Sequence, residues 1–162
     1  MIILAIDPGF ERLGIAILKK EKNKTPNKKE ELIYSECFHT SKKDIFADRL
    51  LNIQNHLKKI IKKYKPDCIA IETLYFSSNI KTAMQVSEAR GVIIVTARSF
   101  NLSIFEYNPM QIKVATAGHG KADKKQIMYM VKKLISIPEN IKSDDELDAI
   151  AIGLTAIAYE KW

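Results

Sequence analysis

The chain opens on an unbroken apolar run, residues 2–6 (IILAI), the mark of a strand buried on both faces. Pro8 and Gly9 end it in a turn. A second apolar run, residues 14–18, predicts a strand returning antiparallel to the first. Residues 19–31 (KKEKNKTPNKKEE, before Leu32) form a charged hairpin loop, and residues 32–40 predict a third strand that completes a meander. The apolar spacing then changes to three and four: Phe46, Leu50, Ile53, Leu57, Ile60, Ile61 and Tyr64 lie on one stripe of a helix. Lys58, Lys59, Lys62 and Lys63 occupy its polar face, Ser41 or Asp44 is the expected cap, and Pro66 stops it. Residues 68–71 predict a buried strand that delivers Glu72 at its end. Residues 80–100 predict a helix rich in small side chains (Ala83, Ser87, Ala89, Gly91, Ala97), and residues 103–107 a fifth strand. Pro109 starts a short helix. The basic, glycine-containing turn 117–125 feeds another helix that runs through Ile135. Ser143 is the expected cap of a last helix over residues 144–161.

Strands that alternate with helices imply parallel pairing through right-handed crossovers, with helices on the sheet faces. The expected architecture is therefore α/β: a mixed five-stranded sheet with helices on both faces, its first three strands antiparallel. The length, 162 residues, predicts one domain spanning residues 1–162. Hydrophobic residues make up 46% and charged residues 28%, as in an ordinary water-soluble domain. No apolar run is long enough to span a bilayer, and the opening MIILAIDPG does not read as a secretory leader. Cys37 and Cys68 are far apart and lack metal-site spacing, so a reduced, cytoplasmic chain is expected. Lys and Arg outnumber Asp and Glu by 26 to 19, a net charge of +7. This excess favours a polyanionic partner, nucleic acid first; a lysine-rich compositional bias is the alternative.

Acidic residues change the picture, because three acidic features interrupt otherwise apolar chain. Asp7 ends the first strand and Glu72 the fourth. The last helix opens on SDDELDAIAIG, in which Asp145 and Asp148, three apart, share a face. Glu146, Gly153 and Glu160, seven apart, are expected on the solvent side. The stripe Asp145, Asp148, Ile152 and Thr155 then points into the protein, with Asp148 the more buried of the two aspartates. Helix-dipole compensation explains Asp144 and Asp145 but not an inward Asp148. Carboxylates aimed at one cleft repel each other, and the common remedy is a hard divalent cation; oxygen donors suit Mg²⁺ or Mn²⁺. Two such ions ~4 Å apart assist in-line displacement at phosphorus. Acids of this kind on a basic chain point to metal-assisted phosphodiester cleavage.

The segments AIDPG, AIE, EARG and DELDAIAI, with FEYNPMQIK and GHGKADKKQI between them, resemble the RuvC family of bacterial Holliday-junction resolvases over nearly the whole chain. The resemblance implies an RNase H-like (retroviral-integrase-type) fold, a homodimer, and Mg²⁺-dependent paired nicking of four-way DNA junctions, with Mn²⁺ substituting and two ions per site. It places the family's four acids on Asp7, Glu72, Asp145 and Asp148, as both catalytic residues and metal ligands. Its DNA-contacting lysines fall on Lys113 and Lys124, and its base-engaging aromatic on Tyr75, with Phe76 a second candidate. Lys121 and Lys125 join them as expected phosphate clamps. A RuvA–RuvB branch-migration complex is an implied partner.

Two nicks placed symmetrically call for an isologous dimer, and the small-residue helix 80–100 is its expected interface, with internal packing the competing role. Arg12, in the turn after Asp7, is a further phosphate-contact candidate. His119 is expected in solvent, with a catalytic role as the minor alternative; His39 and His56 carry no expectation beyond the fold. Three other readings stand beside the resolvase: an RNase H-like nuclease acting on RNA or RNA–DNA hybrid, half of an actin-like or sugar-kinase-like ATPase, and a non-catalytic DNA-binding module. The ATPase needs a second domain and a Gly-rich phosphate turn where Phe10 and Glu11 stand. The DNA-binding module leaves four acids facing a polyanion without a purpose.

Overall fold

The computed structural model describes residues 1–21, 30–74, 80–141 and 143–160. Five strands, β1 (Ile2–Asp7), β2 (Arg12–Lys19), β3 (Glu31–His39), β4 (Cys68–Glu72) and β5 (Ser103–Tyr107), form one sheet in the order β3-β2-β1-β4-β5. β1–β2 and β2–β3 pair antiparallel; β1–β4 and β4–β5 pair parallel. Five helices follow the expected order: α1 (Phe46–Tyr64), α2 (Ile80–Ser99), α3 (Pro109–Ala117), α4 (Lys124–Leu134) and α5 (Asp144–Tyr159).

The central strand explains the two cores. Ile3, Leu4, Ala5 and Ile6 are all fully buried, and side chains alternate between faces. Leu4 and Ile6 join Ile15, Ile17, Ile69 and Ile71 beneath α1 and α2. Ile3 and Ala5 join Ala16, Leu18, Cys68 and Ala70 beneath α3, α4 and α5. The first face is lined by large β-branched and leucine side chains. Under α5 the sheet is paved largely with alanine, so that helix lies close to the backbone of β1 and β2. α5 is small on its own side as well, through Ala149, Ala151, Gly153 and Ala156, all buried.

Four local expectations need correction. Neither Ser41 nor Asp44 caps α1: its N-cap is Ile45, without a side-chain hydrogen bond. Ser41 Oγ instead accepts from Lys43 N (3.1 Å), and Asp44 from Asn52 Nδ2 (3.3 Å). Ser143 occupies the N-cap position of α5 but makes no capping hydrogen bond, donating to Asp145 Oδ2 instead (3.2 Å). The stripe Glu146–Gly153–Glu160 does not face solvent. Gly153 sits on the sheet, where a Cβ would come 2.4 Å from Leu18 Cδ1 and 3.1 Å from Ala5 Cβ. Glu146 accepts from Ser35 Oγ of β3 (2.7 Å), and Glu160 from the Tyr107 hydroxyl (2.9 Å). The period of seven is real, but the glycine marks close approach rather than exposure. Finally, Asp148 is not the more sheltered aspartate: its side chain is 35% exposed against 22% for Asp145, because Arg12 covers the latter.

α2 divides its small residues between two roles. Ala89 and Ala97 are buried with Ile93 against the sheet. Gly91 faces outward, where an added Cβ would meet nothing within 4 Å, on the side of the exposed Met84 (59%) and Val95 (65%).

Candidate active site

Strand parity carries two acids to one place. Asp7 continues the Ile3–Ala5 side of β1, and Glu72 continues the Cys68–Ala70 side of β4, so both face α5. The parallel ladder pairs Ile6 with Ile71 as its last step, so Asp7 and Glu72 leave the sheet side by side. On the other flank of β1, Asp7 pairs with Gly14. A Cβ on Gly14 would fall 2.1 Å from the Asp145 carbonyl oxygen and 3.1 Å from Asp7 Cβ. The backbone of the first turn of α5 thus rests directly on Gly14, and Asp148 follows one turn later. This glycine admits the aspartate pair to the sheet end.

The electrostatics show that the acids share a field. Burial first, then the charges of Asp148, Glu72 and Asp145, push the Asp7 carboxyl up to about 7, with Lys124 partly opposing. Burial and then Asp148 push Glu72 up to about 7. Asp148 is also raised, by burial, against the lowering pull of Lys124. Lys124 lies 3.2 Å from both Asp144 and Asp148. Burial pulls its ammonium down, but the two aspartates outweigh this and leave it raised. Such mutually repelling, partly buried carboxylates are where charge must be neutralised.

A cleft of about 260 Å³ joins Glu72 and Asp148 to Lys113 and Lys124, with Pro109 and Ile112 among its apolar walls. α3 brings Lys113 there through a capping box in which Asn108 Oδ1 accepts from Gln111 N and Gln111 Oε1 accepts from Asn108 N, each at 2.9 Å. An identical box between Asp123 and Gln126 starts α4 and sets Lys124 at its first position. Lys121 and Lys125 are exposed and lie outside this cleft's walls. Tyr75 and Phe76 lie outside the described residues.

His119 is exposed, and its carbonyl accepts from Ala122 N (3.4 Å). His56 pairs with Glu36 and stacks on Phe38 at 4.1 Å, a structural role. A cavity of about 570 Å³ beside Leu32 and Pro138 is not lined by Asp7, Glu72, Asp145 or Asp148.

One supporting residue, Arg90, was not assigned from sequence, and Arg12, expected as a phosphate contact, has a protein partner. Arg90 of α2, the arginine of EARG, donates through Nε to the Glu72 carbonyl (3.1 Å) and pairs with Glu106 of β5, so it braces the strand end that carries Glu72. Arg12 pairs with Asp145 rather than standing free. Asp145 Oδ2 also receives the Ser143 hydroxyl and, at 3.5 Å, the Cys37 thiol. The conformation seen is therefore one in which internal cations and donors hold both α5 aspartates. Consistently, no group of three His, Cys, Asp or Glu among the described residues is arranged to hold a metal ion. The donor set itself fits a hard cation: four carboxylates within reach of one another's fields, with no soft ligand required.

The family model described as crossover junction endodeoxyribonuclease RuvC matches residues 3–156. The chain belongs to the RuvC family. Relatives of that name share 41% identity over 154 residues in Ruminiclostridium cellulolyticum, covering 95% of this chain and 90% of the relative. In Petrotoga mobilis the figures are 44% over 151 residues, 93% and 90%. Among solved structures, T. thermophilus RuvC in complex with Holliday junction substrate superposes with a TM-score of 0.89 at 29% identity, covering 98% of this chain and 94% of that one. A yeast mitochondrial Holliday junction resolvase, at 12% identity and TM-score 0.70, shares the fold. The sheet order and helix placement are those of an RNase H-like α/β fold, as the RuvC resemblance implied. No helix among the described residues is long and apolar enough to cross a membrane.

Proposed function

We propose that this chain is a Holliday-junction resolvase: a crossover junction endodeoxyribonuclease that nicks four-way DNA junctions in symmetric pairs during recombination and repair. The observation that carries the reading is the meeting of Asp7, Glu72 and Asp148 in one electrostatic field beside Lys113 and Lys124, in a chain of the RuvC family. Nuclease chemistry in this family is metal-dependent, and the oxygen-only donor set favours Mg²⁺, with Mn²⁺ able to substitute. Two bound ions supply a more acidic attacking water and charge compensation for the leaving oxygen.

The side chains divide the remaining work. Asp7, on the rigid central strand, would be a ligand to the metal. Glu72 and Asp148 flank it, and Asp145 completes the ligand set or orients water. Lys113 and Lys124 face phosphates from the cleft wall, and Lys121 and Lys125 extend the clamp over the surface. Tyr75 and Phe76 are the candidates for engaging bases at the junction centre. Paired nicking requires two such sites, supplied by an isologous homodimer. The outward Met84, Gly91 and Val95 of α2 are the supporting surface, since exposed apolar side chains around a glycine suit close helix packing. A RuvA–RuvB complex acting on the same junction belongs to this reading, as does a reducing cytoplasm, in keeping with the free thiols of Cys37 and Cys68.

The test compares cleavage of a four-way junction, a matched linear duplex and an RNA–DNA hybrid in Mg²⁺. The expected result is paired nicks in the junction and little cutting of the others. Preference for the hybrid would assign the chain to RNA-directed RNase H-like enzymes instead.

A further inference from the structure

Arg12 is the first residue of β2, just past the turn that follows Asp7, and reaches an aspartate 133 positions away. Its side chain is 51% exposed while Asp145 is 22% exposed. The guanidinium therefore lies over the carboxylate with half of its own surface open to solvent. The oxygen it covers, Asp145 Oδ2, is the one that also takes the Ser143 hydroxyl and the Cys37 thiol. That oxygen has three protein donors, while the main chain of Asp145 is held against Gly14 beside Asp7. Asp145 is thus delivered to the acidic site by its backbone while one of its two carboxylate oxygens is held by side-chain partners.

We propose that Arg12 is a positioning residue that exchanges Asp145 for a backbone phosphate of the bound DNA, and so ties cation binding at the acids to nucleic-acid binding. The inference rests on the nuclease reading above. Its physical basis is competition for one fork of donors. A half-exposed ion pair is weak, so it is easily exchanged. Arginine is suited to both partners, because its planar donors match carboxylate and phosphate alike. When a phosphate takes the guanidinium, Asp145 Oδ2 loses one of its donors and a nearby positive charge. Both changes favour a divalent cation. Thermodynamic linkage makes the effect reciprocal: a cation drawing on Asp145 frees Arg12 for phosphate by the same factor. Lys124 makes a related pair with Asp148, but from within the cleft and shared with Asp144. Arg12 instead holds a single aspartate from outside the cleft's walls.

The test uses binding rather than turnover. Mn²⁺ is titrated calorimetrically into the DNA-free protein, and a four-way junction is titrated in the presence of EDTA. Arg12→Gln should bind Mn²⁺ about threefold to fivefold more tightly than the wild type, and the metal-free junction more weakly by a similar factor. Arg12→Ala repeats both measurements with a smaller side chain, and melting curves establish that each variant is folded. Lys113→Gln is the control for a general field effect, since Lys113 lines the cleft without an ion pair among the described residues. It should weaken junction binding while changing Mn²⁺ affinity less than Arg12→Gln does. Unchanged or weaker Mn²⁺ binding by both Arg12 variants overturns the assignment, as does an equal gain from Lys113→Gln. The two readings fail differently: a wild type that neither binds Mn²⁺ nor cuts a junction removes the nuclease itself. A wild type that does both, with Arg12 variants no tighter for Mn²⁺, removes the Arg12 exchange alone.

Discussion

The two faces of the central sheet are made from the same five strands, yet they do different work. Beneath α1 and α2, Leu4, Ile6, Ile15, Ile17, Ile69 and Ile71 build a conventional aliphatic core. Beneath α5 the positions include Ala5, Ala16, Ala70 and Gly14, and two of the strands that carry them, β1 and β4, end in Asp7 and Glu72. One face spends volume on stability. The other gives volume up so that a helix can approach, and that approach brings Asp145 and Asp148 to the strand ends. A face built for chemistry is recognisable here by what its side chains lack.

This contrast can be broken most sharply at β1, where neighbouring residues serve opposite faces. Asp7→Asn should reduce junction cleavage on the order of 10³-fold or more while leaving junction binding intact. Ile6→Ala should cost about 2–5 kcal/mol of stability and leave the folded enzyme's rate near normal. Chemical denaturation and single-turnover cleavage, run on both variants, separate the two effects. Loss of binding along with cleavage in Asp7→Asn would show that Asp7 has a folding role.

Gly14 tests whether close approach, rather than the acids alone, makes the site. Gly14→Ala should lower the cleavage rate about 10²-fold, because its Cβ must displace the Asp145 carbonyl and shift the aspartates from Asp7. Gly153→Ala, midway along α5, meets Leu18 and Ala5 instead. It should cost about 1–3 kcal/mol of stability with a much smaller loss of rate.

The faces should also differ in their response to pH. Asp7 and Glu72 are both pushed up to about 7 in the folded state, from ordinary values of 3.8 and 4.5. Between those values the folded protein holds protons that the unfolded chain has released. The metal-free protein should therefore lose stability as pH rises from about 4 to about 7, by a few kcal/mol at most, and stay at the lower level above that. Thermal melts in EDTA at about pH 5 and about pH 8 read this directly. Asp7→Asn should flatten the slope, and a divalent cation should restore stability at the higher pH.

Arg90 offers the smallest and finest test. It braces the Glu72 carbonyl from the α2 side of the sheet, so Arg90→Ala should lower cleavage about tenfold through a misplaced Glu72, with junction affinity little changed. An effect on affinity equal to that on rate would place Arg90 in DNA binding instead.

Much of this was legible in the chain because it depends on neighbours a few residues away. The run IILAID shows both the buried strand and the acid at its end. The stripe from Phe46 to Tyr64 shows α1, and Asp145 and Asp148 share a face by helical geometry alone. The family segments then pointed to which acids belong together. Legibility failed where a residue's meaning depends on a distant partner. Ser41, Asp44 and Ser143 have the right chemistry for caps but bond elsewhere. Gly153 looked like solvent-side punctuation and is a contact with Ala5 and Leu18.

The sequence by itself thus determined the elements and their order, and its family segments pointed to an acid set. These follow from periodicity and local sterics, which a short window of chain contains in full. Only the tertiary structure decided that α5 rests on Gly14, that Arg90 braces Glu72, and that Arg12 and Lys124 hold the two aspartates. Each of those is a contact between residues brought together by packing, with a strength set by burial and geometry that no local pattern encodes.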